Sequence, residues 1–322
     1  MDLPKLAKDI MVTKLVTLSP DKDVFKAVGL LLKNGISGAP VVDDQHNFVG
    51  VFSEKCGMNV LATAVRLAST GDDARGKPAI AKKLAKNIMV TRLVTLKPDR
   101  DVFEAIGYLL KHRISGAPVV DENRNFLGTF SERYCMKVLI DSAYEQLPTA
   151  AVSAFMNTDF GRTISEDADL LSIARIFLDT HYRRLPVLHN GKLVGQISRR
   201  DVLRAARKST IVAERKAALL YLSELNSSET AVEDKPSLTV HAFMDTDAAT
   251  INEDTDLLRI AQIFLNTNYR RLPVLCDGKL VGQVSRRDLL RATHELMAIK
   301  PEKESSLLYL SSLVERGDAP MG

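Results

Sequence analysis

The strongest constraint on the fold is an internal repeat that accounts for most of the chain. Residues 10–54 match residues 88–132 at a constant offset of 78, and residues 154–201 match residues 242–288 at an offset of 87 to 88. The first matched pair and the second, which we call the two families of repeats, also resemble each other. The chain therefore contains four related units, numbered repeats 1 to 4 in chain order. Because each unit of a repeat protein is one small supersecondary structure, the repeat determines the architecture.

Hydrophobic periodicity within repeat 1 predicts the order β-α-β-β-α. Pro20-Asp21 is expected to open the first helix, because proline and acidic residues suit the first turn, and Asn34-Gly35 to end it. The predicted strands are Leu15–Leu18, Ala39–Asp43 and Phe48–Phe52. One such unit is too small to close a core by itself, so we expect an α+β fold in which the repeats pair through their sheets.

The predicted domain boundaries follow the repeats. They are 5–66, 82–146, 150–208 and 237–297, followed by a C-terminal helix and tail at 298–322. Polar connectors at 71–78 and 226–236 and a brief break at 147–149 separate the units.

Since repeats 2 and 3 are joined almost directly, we expect repeat 2 to pair with repeat 3 and repeat 1 with repeat 4; pairing of 1 with 2 and 3 with 4 is the alternative. Two helices predicted at 217–225 and 305–314 share the sequence Leu-Leu-Tyr-Leu-Ser, and we expect them to dock on the chain itself; docking on a partner is the alternative.

The segment Gly195-Gln-Ile-Ser-Arg-Arg-Asp201 recurs almost unchanged at 282–288. It predicts a strand, a tight turn and a helix with Ser198 at the N-cap. Free amides of the first helical turn beside two arginines predict an anion site, with phosphate as the anion. A carboxylate, Asp201, at the same place points to a ligand that is also rich in hydroxyl groups, and a nucleotide meets both demands. A capping box, in which serine and aspartate satisfy the helix amides, is the alternative.

Repeats 1 and 2 depart from this pattern. The aspartate position holds Cys56 in repeat 1 and Tyr134 in repeat 2. The arginine pair before the Pro-Val strand is replaced there by Ser-Gly, at 37–38 and 115–116. Capping alone needs only a short polar side chain, so the joint loss of aspartate and arginines favours ligand binding in repeats 3 and 4 only.

These motifs, taken together, resemble the CBS domain, the regulatory module named after cystathionine β-synthase. The resemblance rests on Asp-Val-Phe-x-Ala at 23–27, Ile-Ser-Gly-Ala-Pro-Val-Val-Asp at 36–43, Gly-Val-Phe-Ser-Glu at 50–54 and their counterparts in every repeat. It implies that the repeats form two Bateman modules, whose clefts bind AMP, ADP or ATP, with S-adenosylmethionine less favoured. It also implies that Asp201 and Asp288 bind ribose and that Ser198 and Ser285 lie near ribose and phosphate. The candidate ligand-binding residues are Asp201, Asp288, Ser198, Ser285, Arg199, Arg200, Arg286, Arg287, Arg183, Arg184, Arg270 and Arg271.

Composition excludes several other functions. The net charge of +4 is mild for 322 residues, and the aromatic residues do not follow a basic stripe, which argues against nucleic-acid binding. No run approaches 18 apolar residues, so no membrane span is predicted. The three cysteines, Cys56, Cys135 and Cys276, have no metal-ligand spacing and predict neither a metal site nor a disulfide framework, which favours the cytoplasm.

No catalytic constellation occurs in the sequence, and the six histidines are scattered. We therefore expect a non-catalytic regulatory protein that senses cellular energy through an adenine nucleotide and signals to a partner. The partner is either a second copy or an unidentified protein target. The competing hypothesis is an interaction scaffold whose pockets are vestigial.

Stoichiometry tests this interpretation of the sequence. Because only repeats 3 and 4 keep the aspartate and the arginines, calorimetric titration with AMP should give at most two sites per chain. Four equivalent sites would contradict the role assigned to the Cys56 and Tyr134 substitutions.

Overall fold

The computed structural model describes residues 6–68, 83–144, 150–206 and 239–298. The predicted linkers at 71–78 and 226–236, the break at 147–149, the helices at 217–225 and 305–314 and nearly all of the C-terminal tail lie outside these residues. None of the helices within them has the length and apolar character needed to cross a membrane.

Each repeat contributes an antiparallel hairpin flanked by helices. Repeats 1 and 2 contain two-stranded sheets. Their elements are α1 (Ala7–Ile10), α2 (Val24–Asn34), β1 (Gly38–Val42), β2 (Phe48–Ser53), α3 (Glu54–Ala68), α4 (Ala85–Ile88), α5 (Val102–Lys111), β3 (Gly116–Val120), β4 (Phe126–Ser131) and α6 (Glu132–Tyr144).

In repeats 3 and 4 a short parallel strand extends the hairpin to a three-stranded sheet. The elements are α7 (Val152–Phe155), a 3₁₀ turn (Phe160–Arg162), β5 (Ile164–Ser165), α8 (Leu170–Asp179), β6 (Arg184–His189), β7 (Lys192–Ser198), α9 (199–206), a 3₁₀ turn (Val240–Ala242), β8 (Ile251–Asn252), α10 (Leu257–Asn266), β9 (Arg271–Cys276), β10 (Lys279–Ser285) and α11 (Arg286–Ala298). The mixture of helices and small sheets confirms the α+β class.

An aspartate caps the first long helix of every repeat. In repeat 1 the Asp23 side chain accepts a hydrogen bond of 2.9 Å from the Lys26 amide. The helix therefore begins at Val24, so the predicted start at Pro20-Asp21 is wrong and lies too early in the chain. Its predicted end is confirmed, because Gly35 adopts the left-handed conformation that terminates a helix (φ 64°). The predicted strand at Leu15–Leu18 reduces to one bridge, between Leu18 and Val41.

The four repeats exchange their opening segments, by which we mean residues 6–12, 84–90, 151–157 and 239–245. The opening segment of repeat 1 forms β-bridges with repeat 4, and that of repeat 4 forms them with repeat 1. Repeats 2 and 3 exchange theirs in the same way. Each opening segment also contributes a fully buried side chain to the core that it joins, namely Ala7, Ala85, Val152 and Val240.

As a result, the chain divides into two compact units that are each built from discontinuous stretches. Of the described residues, one unit contains 6–15, 93–144, 150–160 and 249–298, and the other contains 16–68, 83–92, 161–206 and 239–248. Within the first unit, helices α5 and α6 of repeat 2 pack against α10 and α11 of repeat 4. Within the second, α3 of repeat 1 packs against α8 of repeat 3.

The repeats are thus connected in two different ways. Exchange joins repeat 1 to repeat 4 and repeat 2 to repeat 3, which are the pairs suggested by the linkers. Helix packing joins repeat 1 to repeat 3 and repeat 2 to repeat 4, which neither sequence-based alternative anticipated. Sheet-to-sheet pairing of the repeats stays a prediction.

A glycine in the second hairpin strand of each repeat makes room for the exchanged segment. A Cβ atom at Gly195 would lie 2.4 Å from Sδ of Met89, and one at Gly282 would lie 2.5 Å from Sδ of Met11. At Gly128 the obstructing atom is a backbone carbonyl, since an added Cβ would lie 2.5 Å from the oxygen of Asn157. The hairpin and the opening segment are therefore in direct backbone contact.

Gly128→Ala should destabilise the fold more than Gly195→Ala. The first variant must displace backbone, whereas the second can be relieved by rotation of the flexible Met89 side chain. We expect a loss of about 2–3 kcal/mol for Gly128→Ala, the upper part of the range for overpacking, and about 1 kcal/mol for Gly195→Ala. Urea unfolding of both variants measures the difference. Adding Met89→Ala should remove the packing cost of Gly195→Ala, and equal losses in the two single variants would argue against the described contacts.

Candidate ligand-binding site

The two candidate aspartates lie where the second hairpin strand runs directly into the closing helix. Asp201 Oδ2 accepts hydrogen bonds from the amide of Ser198 (2.9 Å) and from its hydroxyl group. The Asp201 amide in turn donates to Ser198 Oγ at 3.4 Å. Asp288 and Ser285 repeat the arrangement, with 2.8 Å between the serine amide and Oδ2. The capping box, which was the alternative to ligand binding, is therefore present in both repeats.

The capping box occupies only one of the two carboxylate oxygens. For Asp201, Oδ1 lies 3.5 Å from Nη1 of Arg204, and the Asp201 side chain is 13% exposed. For Asp288, no hydrogen bond reaches Oδ1 from the described residues. A carboxylate can accept several hydrogen bonds at once, so capping and ligand binding are compatible.

Strand pairing places an arginine opposite each capping serine. Arg184 is the cross-strand partner of Ser198, and Arg271 is the partner of Ser285. Cross-strand partners project to the same face of a sheet. The fold thus puts a serine, an aspartate and an arginine at the start of α9, and the same three residue types at the start of α11.

Repeats 1 and 2 keep the register but lack the chemistry. Gly38 is paired with Ser53, and Gly116 with Ser131. A Cβ atom at Gly116 would lie 2.8 Å from the carbonyl oxygen of Phe130, so an arginine could not replace it without a backbone shift.

The aspartate position has a different use in each of these two repeats. Cys56 Sγ lies 3.3 Å from Ser53 Oγ, so the thiol contacts the capping serine. The Tyr134 hydroxyl accepts a hydrogen bond from the side chain of Asn157, which belongs to the opening segment of repeat 3. Tyr134 therefore fastens the exchanged segment.

Arg199 and Arg286 have internal roles. Both residues are buried, and Nη2 of each donates to two carbonyl groups at the end of the preceding long helix, in Arg199 to Phe177 and Thr180. Arg286 bonds Phe264 and Thr267 in the same way. Burial lowers the pKa of Arg199, and it lowers that of Arg286 to about 10. Because these guanidinium groups serve their own helices, we remove both residues from the candidate ligand-binding set.

Arg200 and Arg287 connect repeats within a unit. Arg200 donates to Glu54 Oε1 at 3.1 Å and to the Gly35 carbonyl at 2.8 Å, so repeat 3 is tied to repeat 1. Arg287 donates to the Arg113 carbonyl at 2.8 Å and lies 3.5 Å from Glu132 Oε1, so repeat 4 is tied to repeat 2. Both were predicted as ligand-binding residues, and that role stays a prediction beside the contacts between repeats that the structure shows.

Arg183 and Arg270, which come first in the two arginine pairs before the Pro-Val strands, lie beside these contacts between repeats. The Arg183 carbonyl accepts from the Arg199 amide at 3.2 Å, and the Arg270 carbonyl accepts from the Arg286 amide at 3.1 Å. The Arg270 side chain also reaches Glu132, with 3.4 Å between Nη2 and Oε2.

Sequence reasoning missed Glu54 and Glu132. Both are buried acidic residues placed immediately after the capping serine, where repeats 3 and 4 have Arg199 and Arg286. The signal was available in the alignment of the repeats, because the charge at one position changes sign between the two families. A buried carboxylate needs a cationic partner, and the arginines of the other family supply it.

Within the described residues, no group of three or more histidine, cysteine, aspartate or glutamate side chains is arranged to hold a metal ion.

Comparison with known proteins places the chain in a family. The model of the CBS domain matches residues 7–56, 85–141, 152–208 and 240–295. The chain is 24% identical over 281 residues to the uncharacterized protein MJ1225 of Methanocaldococcus jannaschii, and the match covers 86% of this chain and 95% of that protein.

The names of two further similar proteins mention AMP. Human 5'-AMP-activated protein kinase subunit gamma-3 is 28% identical over 215 residues, which cover 63% of this chain and 44% of that subunit. The crystal structure of CBSX2 in complex with AMP, a protein of Arabidopsis thaliana, aligns with a TM-score of 0.35 and 28% identity and covers 39% of this chain and 96% of that one.

The family model covers more than half of the chain, at four places that coincide with the four repeats. The resemblance noted from the sequence motifs is thereby confirmed, and the chain belongs to the CBS domain family.

Proposed function

We propose that this chain is a regulatory protein that binds an adenine nucleotide, AMP, ADP or ATP, at repeats 3 and 4. One observation carries the proposal. The start of the closing helix in these two repeats, and not in repeats 1 and 2, combines an aspartate that retains one carboxylate oxygen outside the cap with a serine and an arginine on one face. A carboxylate oxygen can accept hydrogen bonds from ribose hydroxyls, and the arginine can bind a phosphate.

Two further findings support the choice of nucleotide. The chain belongs to the CBS domain family, and the resemblance to that family implies that the aspartate binds ribose. It also resembles a subunit of a kinase that is named for activation by AMP. Arg184, Arg271, Arg183 and Arg270 are then the arginines proposed for phosphate, with Arg200 and Arg287 beside them.

The regulatory part of the proposal follows from the contacts between repeats. Arg200 and Arg287 join the repeats next to the candidate aspartates, so a ligand bound there would alter the packing of two repeats at once. A change of this kind would reach the surface presented to a partner, either a second copy or another protein. No catalytic step is part of the proposal.

An interaction scaffold without a ligand is the second candidate. It is favoured by the capping boxes, which already give Ser198, Ser285 and one oxygen of each aspartate a structural role. The scaffold hypothesis predicts that substitutions at the aspartates change stability and nothing else.

Asp201→Asn and Asp288→Asn separate the two candidates. Asparagine keeps one oxygen for the serine amide but loses the second acceptor. If Asp201 binds ribose, nucleotide affinity at that site should fall by about 1.5–3 kcal/mol, the range for hydrogen bonds to charged groups, which is roughly a tenfold to hundredfold rise in Kd. Isothermal titration calorimetry with AMP, ADP, ATP and S-adenosylmethionine measures the loss and identifies the preferred ligand.

Tyr134→Phe provides the matched control, because it changes the equivalent position in repeat 2. It should weaken the hold on Asn157 and leave nucleotide affinity unchanged. If both aspartate variants lose about 1 kcal/mol of stability, as expected for a removed cap, but bind nucleotide as the wild type does, the scaffold hypothesis is preferred.

A further inference from the structure

A single buried carboxylate lies among arginines where repeat 2 packs against repeat 4. The Glu132 side chain is 6% exposed. It contacts two arginines of repeat 4, with 3.4 Å from Oε2 to Nη2 of Arg270 and 3.5 Å from Oε1 to Nε of Arg287. Glu132 follows the capping serine of its own repeat and therefore belongs to the framework of the helix start.

The positive charge around Glu132 exceeds what it neutralises. Arg286 of repeat 4 and Arg133 of repeat 2 lie in the same electrostatic environment as Arg270. Burial, and then the neighbouring Arg270 and Arg133, lower the pKa of Arg286 to about 10, against the opposing effect of Glu132. Four arginines are thus gathered here, and Glu132 forms the ion pairs described for two of them.

The two ion pairs of Glu132 are long. Charge-assisted hydrogen bonds between arginine and carboxylate usually measure about 2.7–2.9 Å. Nε of Arg287 is buried and makes no hydrogen bond within the described part of the chain. Glu132 therefore reduces the net charge of these arginines while leaving hydrogen-bonding capacity on them.

Arg270 and Arg287 are sequence neighbours of residues in the candidate site of repeat 4. Arg270 directly precedes Arg271, the cross-strand partner of Ser285, and Arg287 directly precedes Asp288. A phosphate chain extending from a ribose at Asp288 would meet the same positive charge that Glu132 now reduces.

We propose that Glu132 of repeat 2 is a specificity-determining residue of the candidate site in repeat 4. Glu132 neutralises Arg270 and Arg287 where the two repeats pack together, and it thereby limits the affinity of the site for phosphate charge. The proposal rests on the proposed nucleotide binding. It adds that the buried carboxylate of Glu132 reduces the gain in affinity that each further phosphate brings. The ligand class favoured by this arrangement is the nucleoside monophosphate, because each added phosphate gains less than it would beside unpaired arginines. Glu54, which is paired with Arg200, has the corresponding role for repeat 3.

The test compares ligands that differ only in phosphate number. Adenosine, AMP and ATP are titrated calorimetrically, without added metal, into the full-length chain carrying Asp201→Asn, so that the titration reports repeat 4, with and without Glu132→Gln. Removing the single negative charge of Glu132, about 10 Å from the phosphates, should tighten ATP binding by roughly tenfold and AMP binding by roughly threefold at water-like screening. Adenosine affinity should stay the same.

Glu122→Gln is the matched control. It removes the same charge from the same repeat, but Glu122 is exposed and pairs with Lys97 on the surface. It should leave the ratio of ATP affinity to adenosine affinity at its starting value. In the double variant Glu132→Gln/Arg270→Gln one of the freed charges is removed again, and most of the gain for ATP should disappear.

Should Glu132→Gln fail to fold, as judged by its thermal unfolding, Glu132→Asp carries the test. The shorter side chain withdraws the carboxylate from Arg270 and Arg287 and should tighten ATP binding relative to adenosine, by less than Glu132→Gln would. An affinity ratio that Glu132→Gln, or Glu132→Asp in its place, does not change would overturn the inference while leaving nucleotide binding intact. A wild-type chain that binds neither AMP nor ATP would instead overturn the proposed function.

Discussion

The exchange of opening segments is the interaction on which the rest of the structure depends. A repeat of about sixty residues with two or three short strands cannot bury enough apolar surface to be stable alone. Each opening segment brings one fully buried side chain and a pair of backbone hydrogen bonds to another repeat, such as those between Val90 and Gln196. Gly50 and Gly128 are required because a Cβ atom there would lie 2.7 Å and 2.5 Å, respectively, from a backbone carbonyl oxygen of the opening segment.

A second constraint is electrostatic and explains why the two families of repeats differ. The residue after the capping serine is glutamate in repeats 1 and 2 and arginine in repeats 3 and 4. The glutamates are buried against the arginines of the other family, whereas Arg199 and Arg286 turn inward to the ends of their own helices. Four copies of repeat 4 would place arginines together at these contacts, so the glutamates of repeats 1 and 2 supply the opposite charge where repeat 1 packs on repeat 3 and repeat 2 on repeat 4.

Local features of the fold could be predicted from the sequence, and long-range ones could not. Apolar periodicity gave the hairpins and the helix ending at Asn34, because these depend on neighbours within a few residues. It misplaced the helix start, since an acidic residue at Asp21 and one at Asp23 are equally suitable caps in sequence. The linkers suggested which repeats are joined by exchange, but neither the exchange of segments itself nor the packing of repeat 1 on repeat 3 could be predicted, because similar repeats offer similar surfaces. For the candidate site, the pattern identified the serine and aspartate of the capping box, but residue type alone did not reveal that Arg199 and Arg286 are committed to internal carbonyl groups.

The separation in sequence between contacting segments bears on how the chain folds during synthesis. Lys8 forms a hydrogen bond with Asp254, 246 residues later. At typical translation rates of 5–20 residues per second, the opening segment of repeat 1 waits for roughly 10–50 s before its partner exists. Contacts of such range also slow folding, because a long loop must close before they form. Residues 6–12 are therefore expected to dock after the rest of the chain, and the edge of repeat 1 that forms β-bridges with residues 239–245 is expected to stay uncovered until those residues are made.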